Sequence, residues 1–191
     1  MGSHVIKNCN FISDSVDVCV NDCKVEKRQM IIAVCGVKNS GKTTLLTKMV
    51  EMLSKKGIKV AVIKHDGHDF SCDVEGTDSD KLSKAGAYGV AVFSKNRIFV
   101  HKQLDRDREI ERELEQELIK QFPEAEIIFL EGMKNSEYCK IEVIRKEISK
   151  EPVSNPKGRF LIATDWDLGC FQETAININD VDGIIQIIED L

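Results

Sequence analysis

The chain has 191 residues, enough for one domain with a substantial core, and its 42% hydrophobic and 31% charged content is that of an ordinary soluble globular protein. A net charge of −5 removes any general attraction to nucleic acid or to an anionic membrane surface. No apolar run is long enough to span a bilayer, and the first thirty residues lack the apolar centre of a secretory signal. The seven cysteines are odd in number and scattered, so reduced thiols in the cytoplasm are expected rather than a disulfide framework.

Met1 to His4 read as an expression remnant, and residues 1–29 as an N-terminal extension ahead of a domain spanning 30–191. Within the extension Val16, Val18 and Val20 alternate with polar residues, which predicts one short strand. From residue 30 the pattern becomes regular. "MIIAVCG" is a continuous apolar run, as in a buried parallel strand. "TTLLTKMVEMLSKKG" places Leu45, Leu46, Met49, Val50 and Leu53 on one helical face and stops at Gly57. "IKVAVIKH" completes a strand–helix–strand unit. Thr77 or Asp78 can cap a short helix ending near Gly86, and the stretch from 88 to 103 predicts a hairpin turning at Lys95-Asn96. Ile110, Leu114, Leu118 and Phe122 form the apolar row of a charged helix that ends at Pro123. "AEIIFLEG", "KIEVIRK" and "RFLIATD" are three further strands, and Asp180 caps a last helix rich in isoleucine. The expected fold is α/β, P-loop NTPase-like and three-layered, with a mostly parallel, partly mixed central sheet; the hairpin supplies its antiparallel part.

Residues 36–43, Gly-Val-Lys-Asn-Ser-Gly-Lys-Thr, match G-x-x-x-x-G-K-[ST] between a buried strand and an amphipathic helix. Gly36 and Gly41 let the backbone turn its N–H groups inward, and the helix adds the positive end of its dipole. Lys42 brings a full charge to the terminal phosphates, and the Thr43 hydroxyl suits Mg²⁺. Glu131, closing an apolar strand, is a second metal carboxylate candidate. Asp66 ends the second strand and competes for the metal or the attacking water.

Smaller signals stay open. His65, His68 and Cys72, or Cys19 and Cys23 with Cys9, carry metal-ligand chemistry but lack a fourth ligand at fixed spacing. Thr77, Asp78, Ser79 and Lys84 read either as a ligand contact or as a helix cap. Arg145 reads as an edge-strand charge against aggregation, with bidentate contact to an anion as the alternative.

Together "GVKNSGKTTLL", "VAVIKHDGHDF", "GTDSDKLSKAGA", "FLEGMKNSEYCKIEVIR" and "FLIATD" resemble the molybdopterin-guanine dinucleotide biosynthesis protein B family, MobB, over about residues 30–165. The resemblance implies a GTP-binding adapter that helps attach GMP to molybdopterin. It would act beside a separate MobA-like molybdenum cofactor guanylyltransferase, with weak GTPase activity of its own. It further implies a homodimer with strands paired across its interface, and GTP, Mg²⁺ and the molybdopterin or molybdenum cofactor as ligands. Carried over by position, Gly36, Lys38, Asn39, Ser40, Gly41, Lys42, Thr43 and Thr44 would hold the phosphates. Thr43 and Glu131 would serve Mg²⁺, and Asp165 would accept from guanine N1–H and the exocyclic amine. The chain departs from the family pattern at "DFSCDVEG", where a cysteine enters, and in its N-terminal extension.

No arginine follows the loop as a finger, so slow unassisted turnover is expected, with Asp66 or Glu131 orienting water. A small-molecule kinase and a GTP-dependent metal-insertion chaperone share the same phosphate loop and remain alternatives.

Overall fold

The computed structural model describes residues 29–66, 70, 73–104 and 110–191. The strand expected around Val16–Val20, the three cysteines of the extension, His68 and Cys72 lie outside those residues. In chain order the elements are β1 (Met30–Cys35), α1 (Lys42–Lys55), β2 (Val60–Lys64), α2 (Asp78–Lys84), β3 (Gly89–Phe93), β4 (Ile98–Lys102), α3 (Ile110–Lys120), β5 (Ile127–Glu131), β6 (Cys139–Ile144), β7 (Arg159–Thr164), β8 (Ala175–Asn177) and α4 (Val181–Glu189). Contacts divide the chain into a first unit, built from the residues up to His65 and from Leu118 onward, and a second unit, Asp66–Glu117.

The first unit is a six-stranded sheet in the order β2-β5-β1-β6-β7-β8, parallel at every pairing. Its strands are apolar runs because a parallel sheet is covered on both faces. Every residue of β5 is buried. Against one face pack Leu45, Leu46, Met49 and Leu53 of α1 with Val181, Ile184, Ile185 and Ile188 of α4; they meet Ile32, Val34, Phe129, Ile141 and Val143. Ala33, Cys35, Ile128 and Leu130 turn to the other face, with Ile119 of α3. The helix ends follow the expected chemistry. Gly57 takes a left-handed φ of 81° just past α1, and Asp180 accepts from the Gly183 amide at 3.0 Å to cap α4.

The apolar row expected along α3 is not the buried one. Leu118 and Phe122 remain exposed, and Ile119 is buried instead. At 3.6 residues per turn, residues four apart advance about 40° too far at each step, so a row of four cannot face one wall.

Strand β6 carries two charges into the interior. Lys140 is fully buried, and its ammonium donates to the carbonyls of Ser136 (2.5 Å), Lys157 (2.7 Å) and Asn155 (3.3 Å). Glu142, also buried, accepts from the Val153 amide at 2.8 Å. These contacts pin the loops on either side of β6 to the sheet.

The second unit contains α2, β3, β4 and most of α3. Thr77 is the α2 cap, accepting from the Asp80 amide at 3.3 Å, so capping accounts for it. β3 and β4 pair antiparallel as a sheet of their own, with Ser94 donating to the Arg97 carbonyl (2.8 Å) across the turn. Among the described residues the antiparallel component is therefore this separate hairpin, and every pairing in the central sheet is parallel.

Candidate phosphate-loop site

Residues 36–41 join the end of β1 to the start of α1, where β1 lies between β5 and β6 at the centre of the sheet. Onward connections lead to both sides of β1, which is where open α/β sheets place their ligands. Gly36 adopts φ 141°, and a Cβ there would sit 2.5 Å from the Val143 carbonyl oxygen and 2.8 Å from Ser40 Oγ. Only glycine lets the loop pass this close to β6. Asn39 (φ 64°) and Gly41 (φ 95°) are left-handed, and the Leu45 amide donates to the Gly41 carbonyl at 2.9 Å as α1 begins. Lys38, Asn39, Thr43 and Thr44 are exposed. Ser40 is fully buried, and its Oγ has no hydrogen-bond partner among the described residues. Lys42 folds over the loop, donating to the carbonyls of Gly36 (3.1 Å) and Val37 (2.7 Å).

The fold brings Thr43 and Glu131 together from 88 residues apart: the threonine hydroxyl donates to Glu131 Oε1 at 2.8 Å. Glu131 is buried at the end of β5, beside β1, with Lys64 Nζ 3.8 Å from the same oxygen. A hydroxyl and a carboxylate side by side are hard oxygen donors and fit Mg²⁺.

Behind the loop, the Cys35 thiol donates to the Gly132 carbonyl at 2.8 Å, and burial pushes its pKa up to about 12. Alkylation at neutral pH with mass-spectrometric mapping is therefore expected to mark exposed Cys170 in the native protein and Cys35 only after unfolding.

Asp66 is the first residue of the second unit. Asp165 follows β7. Its Oδ2 accepts from Arg145 Nε at 2.8 Å and its Oδ1 from the Lys146 amide at 2.6 Å. Burial pushes the carboxyl up, but the Lys146 amide and the Arg145 guanidinium together leave it below its ordinary range. Arg145 is not an edge-strand charge. It leaves the end of β6, which is flanked by β1 and β7. The strand order is set by long-range pairing, which the local sequence around Arg145 does not encode. Among the described residues no group of three or more His, Cys, Asp and Glu is placed to hold a metal ion, and the His65–His68–Cys72 group falls partly outside them.

A glycine loop between a central parallel strand and a helix, with an acidic residue ending the neighbouring strand, defines a P-loop NTPase-like protein. Residues 31–165 match the family model described as molybdopterin guanine dinucleotide synthesis protein B, and the chain belongs to that family. It is 30% identical over 159 residues to the molybdopterin-guanine dinucleotide biosynthesis adapter protein of Escherichia coli, covering 83% of this chain and 90% of that protein. The Haemophilus influenzae protein of the same name is 28% identical, over 84% of this chain and 88% of its own length. The crystal structure of Bacillus subtilis MobB superposes with a TM-score of 0.62 at 24% identity, covering 85% of this chain and 98% of that one, which shows the shared fold.

Proposed function

We propose that this protein is a GTP-binding adapter in molybdenum cofactor biosynthesis, assisting the attachment of GMP to molybdopterin. The observation that carries the nucleotide part is the phosphate loop with Lys42 over it and the Thr43–Glu131 pair at its mouth. The names of the Escherichia coli and Haemophilus influenzae relatives support the pathway and the adapter role. In this reading the loop amides and Lys42 bind the polyphosphate, and Thr43 and Glu131 hold Mg²⁺, which supplies charge neutralisation at the terminal phosphates. Asp165 keeps a lone pair on each oxygen and accepts from guanine. Glu131 or Asp66 orients water, and the intrinsic GTPase activity is weak.

The partner in this reading is a guanylyltransferase in the cytoplasm, and the adapter works as a homodimer. The hairpin supports that assembly. Phe93 stands opposite Ile98 and Ala91 opposite Val100, giving one apolar face on which Phe93, Ile98 and Val100 are 83%, 76% and 62% exposed. An apolar sheet face of this kind marks an association surface.

Calorimetric titration of GTP and ATP in the presence of Mg²⁺ tests the nucleotide assignment. GTP is expected to bind measurably tighter than ATP. An ATP preference would replace the adapter with a kinase, and absence of binding to either would end the proposal.

A further inference from the structure

We infer that Arg145 is a second cationic contact to the nucleotide polyphosphate, aimed at the phosphate loop by Asp165. The inference rests on the nucleotide reading above and adds a residue that the phosphate-loop motif does not contain. Arg145 leaves β6 beside the loop, since β6 is the strand whose Val143 carbonyl lies against Gly36. Its guanidinium is committed on one edge only. Nε donates to Asp165 Oδ2 at 2.8 Å, while neither Nη donates to any acceptor among the described residues. Nη1 lies 3.7 Å from the point where a Cβ on Gly41 would sit. The uncommitted edge therefore borders the residue from which α1 starts, where the helix dipole already favours an anion.

Asp165 is in turn fixed by the Lys146 amide at 2.6 Å. The carboxylate thus holds the guanidinium at a set angle, and the two Nη groups present a planar fork that matches phosphate oxygens. Lys42 lies over the carbonyls of Gly36 and Val37 whereas Arg145 borders Gly41, so the two charges meet different residues of the loop. A purely structural role explains little. The Arg145 side chain is 43% exposed and that of Asp165 30%, and a pair so open to solvent adds at most a small increment to stability.

The test is calorimetric titration of GTP and of inorganic pyrophosphate, each with Mg²⁺, against wild type, Arg145→Gln, Arg145→Lys and Lys42→Ala, with melting temperatures recorded alongside. Arg145→Gln is expected to weaken GTP and pyrophosphate by the same factor, about tenfold. Arg145→Lys should recover part of that loss, because the charge remains and the fork does not. The melting temperature of Arg145→Gln should stay close to that of wild type. Wild-type affinity in Arg145→Gln, with binding lost in Lys42→Ala, overturns the inference and leaves the nucleotide reading standing. A loss for GTP that pyrophosphate does not share overturns it too, since the contact would then be to ribose or base. Failure of the wild type to bind either ligand overturns both.

Discussion

Replacing Lys42 by alanine is expected to lower GTP affinity by roughly a hundredfold or more, because at least one charge-assisted hydrogen bond and a full counter-charge disappear. The same variant should fold normally. Among the described residues Lys42 makes only two local hydrogen bonds, to the Gly36 and Val37 carbonyls, and it lies outside the packed rows of α1, which are Leu45, Leu46, Met49 and Leu53. The change can therefore be read as a ligand effect. A nucleotide that binds only the native state stabilises it by about 2.7 kcal/mol at a hundred times its dissociation constant. For a chain of this size each kcal/mol moves the melting temperature by about 2–4 °C. Saturating GTP with Mg²⁺ should then raise the wild-type midpoint by roughly 5–11 °C. At the same GTP concentration the Lys42→Ala midpoint should move by no more than about 1–2 °C. An equal shift in both proteins would show that the nucleotide binds elsewhere and would remove the loop from the mechanism.

Much of this loop is legible in the sequence because its parts are local. Gly36 to Thr43 is contiguous, and an apolar run before it with an amphipathic face after it is enough to place a phosphate loop. Glu131 was legible for a related reason: it ends an apolar strand, and strand ends gather at one edge of a parallel sheet. Other features depend on pairing between distant segments. β8 is three residues long and owes its strand state to the free edge of β7, where the Ile162 amide finds the Thr174 carbonyl at 2.9 Å. Arg145 was misplaced to an edge because nothing in "KIEVIRK" reveals that β1 and β7 flank it. Burial of Ser40, with its unpartnered hydroxyl, likewise comes from the close passage of Gly36 against β6.

Lys140 illustrates the same limit from the side of stability and yields the largest expected folding defect. A lysine inside a strand normally reads as a solvated residue, yet this one is fully buried on a central strand. Burial pulls its ammonium below the ordinary lysine range. Unfolded lysine therefore binds its proton more tightly than the native one, so this group's penalty is full below the depressed native value and fades as pH rises from there to the unfolded value. What compensates is the triple contact with the carbonyls of Ser136, Asn155 and Lys157. Lys140→Met removes the desolvation penalty but orphans those three acceptors, so the balance turns on the carbonyls. At about 1–3 kcal/mol for each unsatisfied buried group, less what water recovers by entering, a net loss of about 3 kcal/mol is expected. That corresponds to a fall of roughly 6–12 °C in the melting temperature. Because Lys140 Nζ ties the loop after Glu131 to the loop before β7, part of the loss should be local. Hydrogen exchange is expected to quicken at Ser136, whose amide donates to Met133, and at Asn155, whose amide donates to Lys134. GTP should still raise the midpoint of Lys140→Met, since the phosphate loop and the Thr43–Glu131 pair touch none of these atoms. A variant as stable as wild type would mean that water satisfies all three carbonyls and that the buried ammonium is dispensable to the fold.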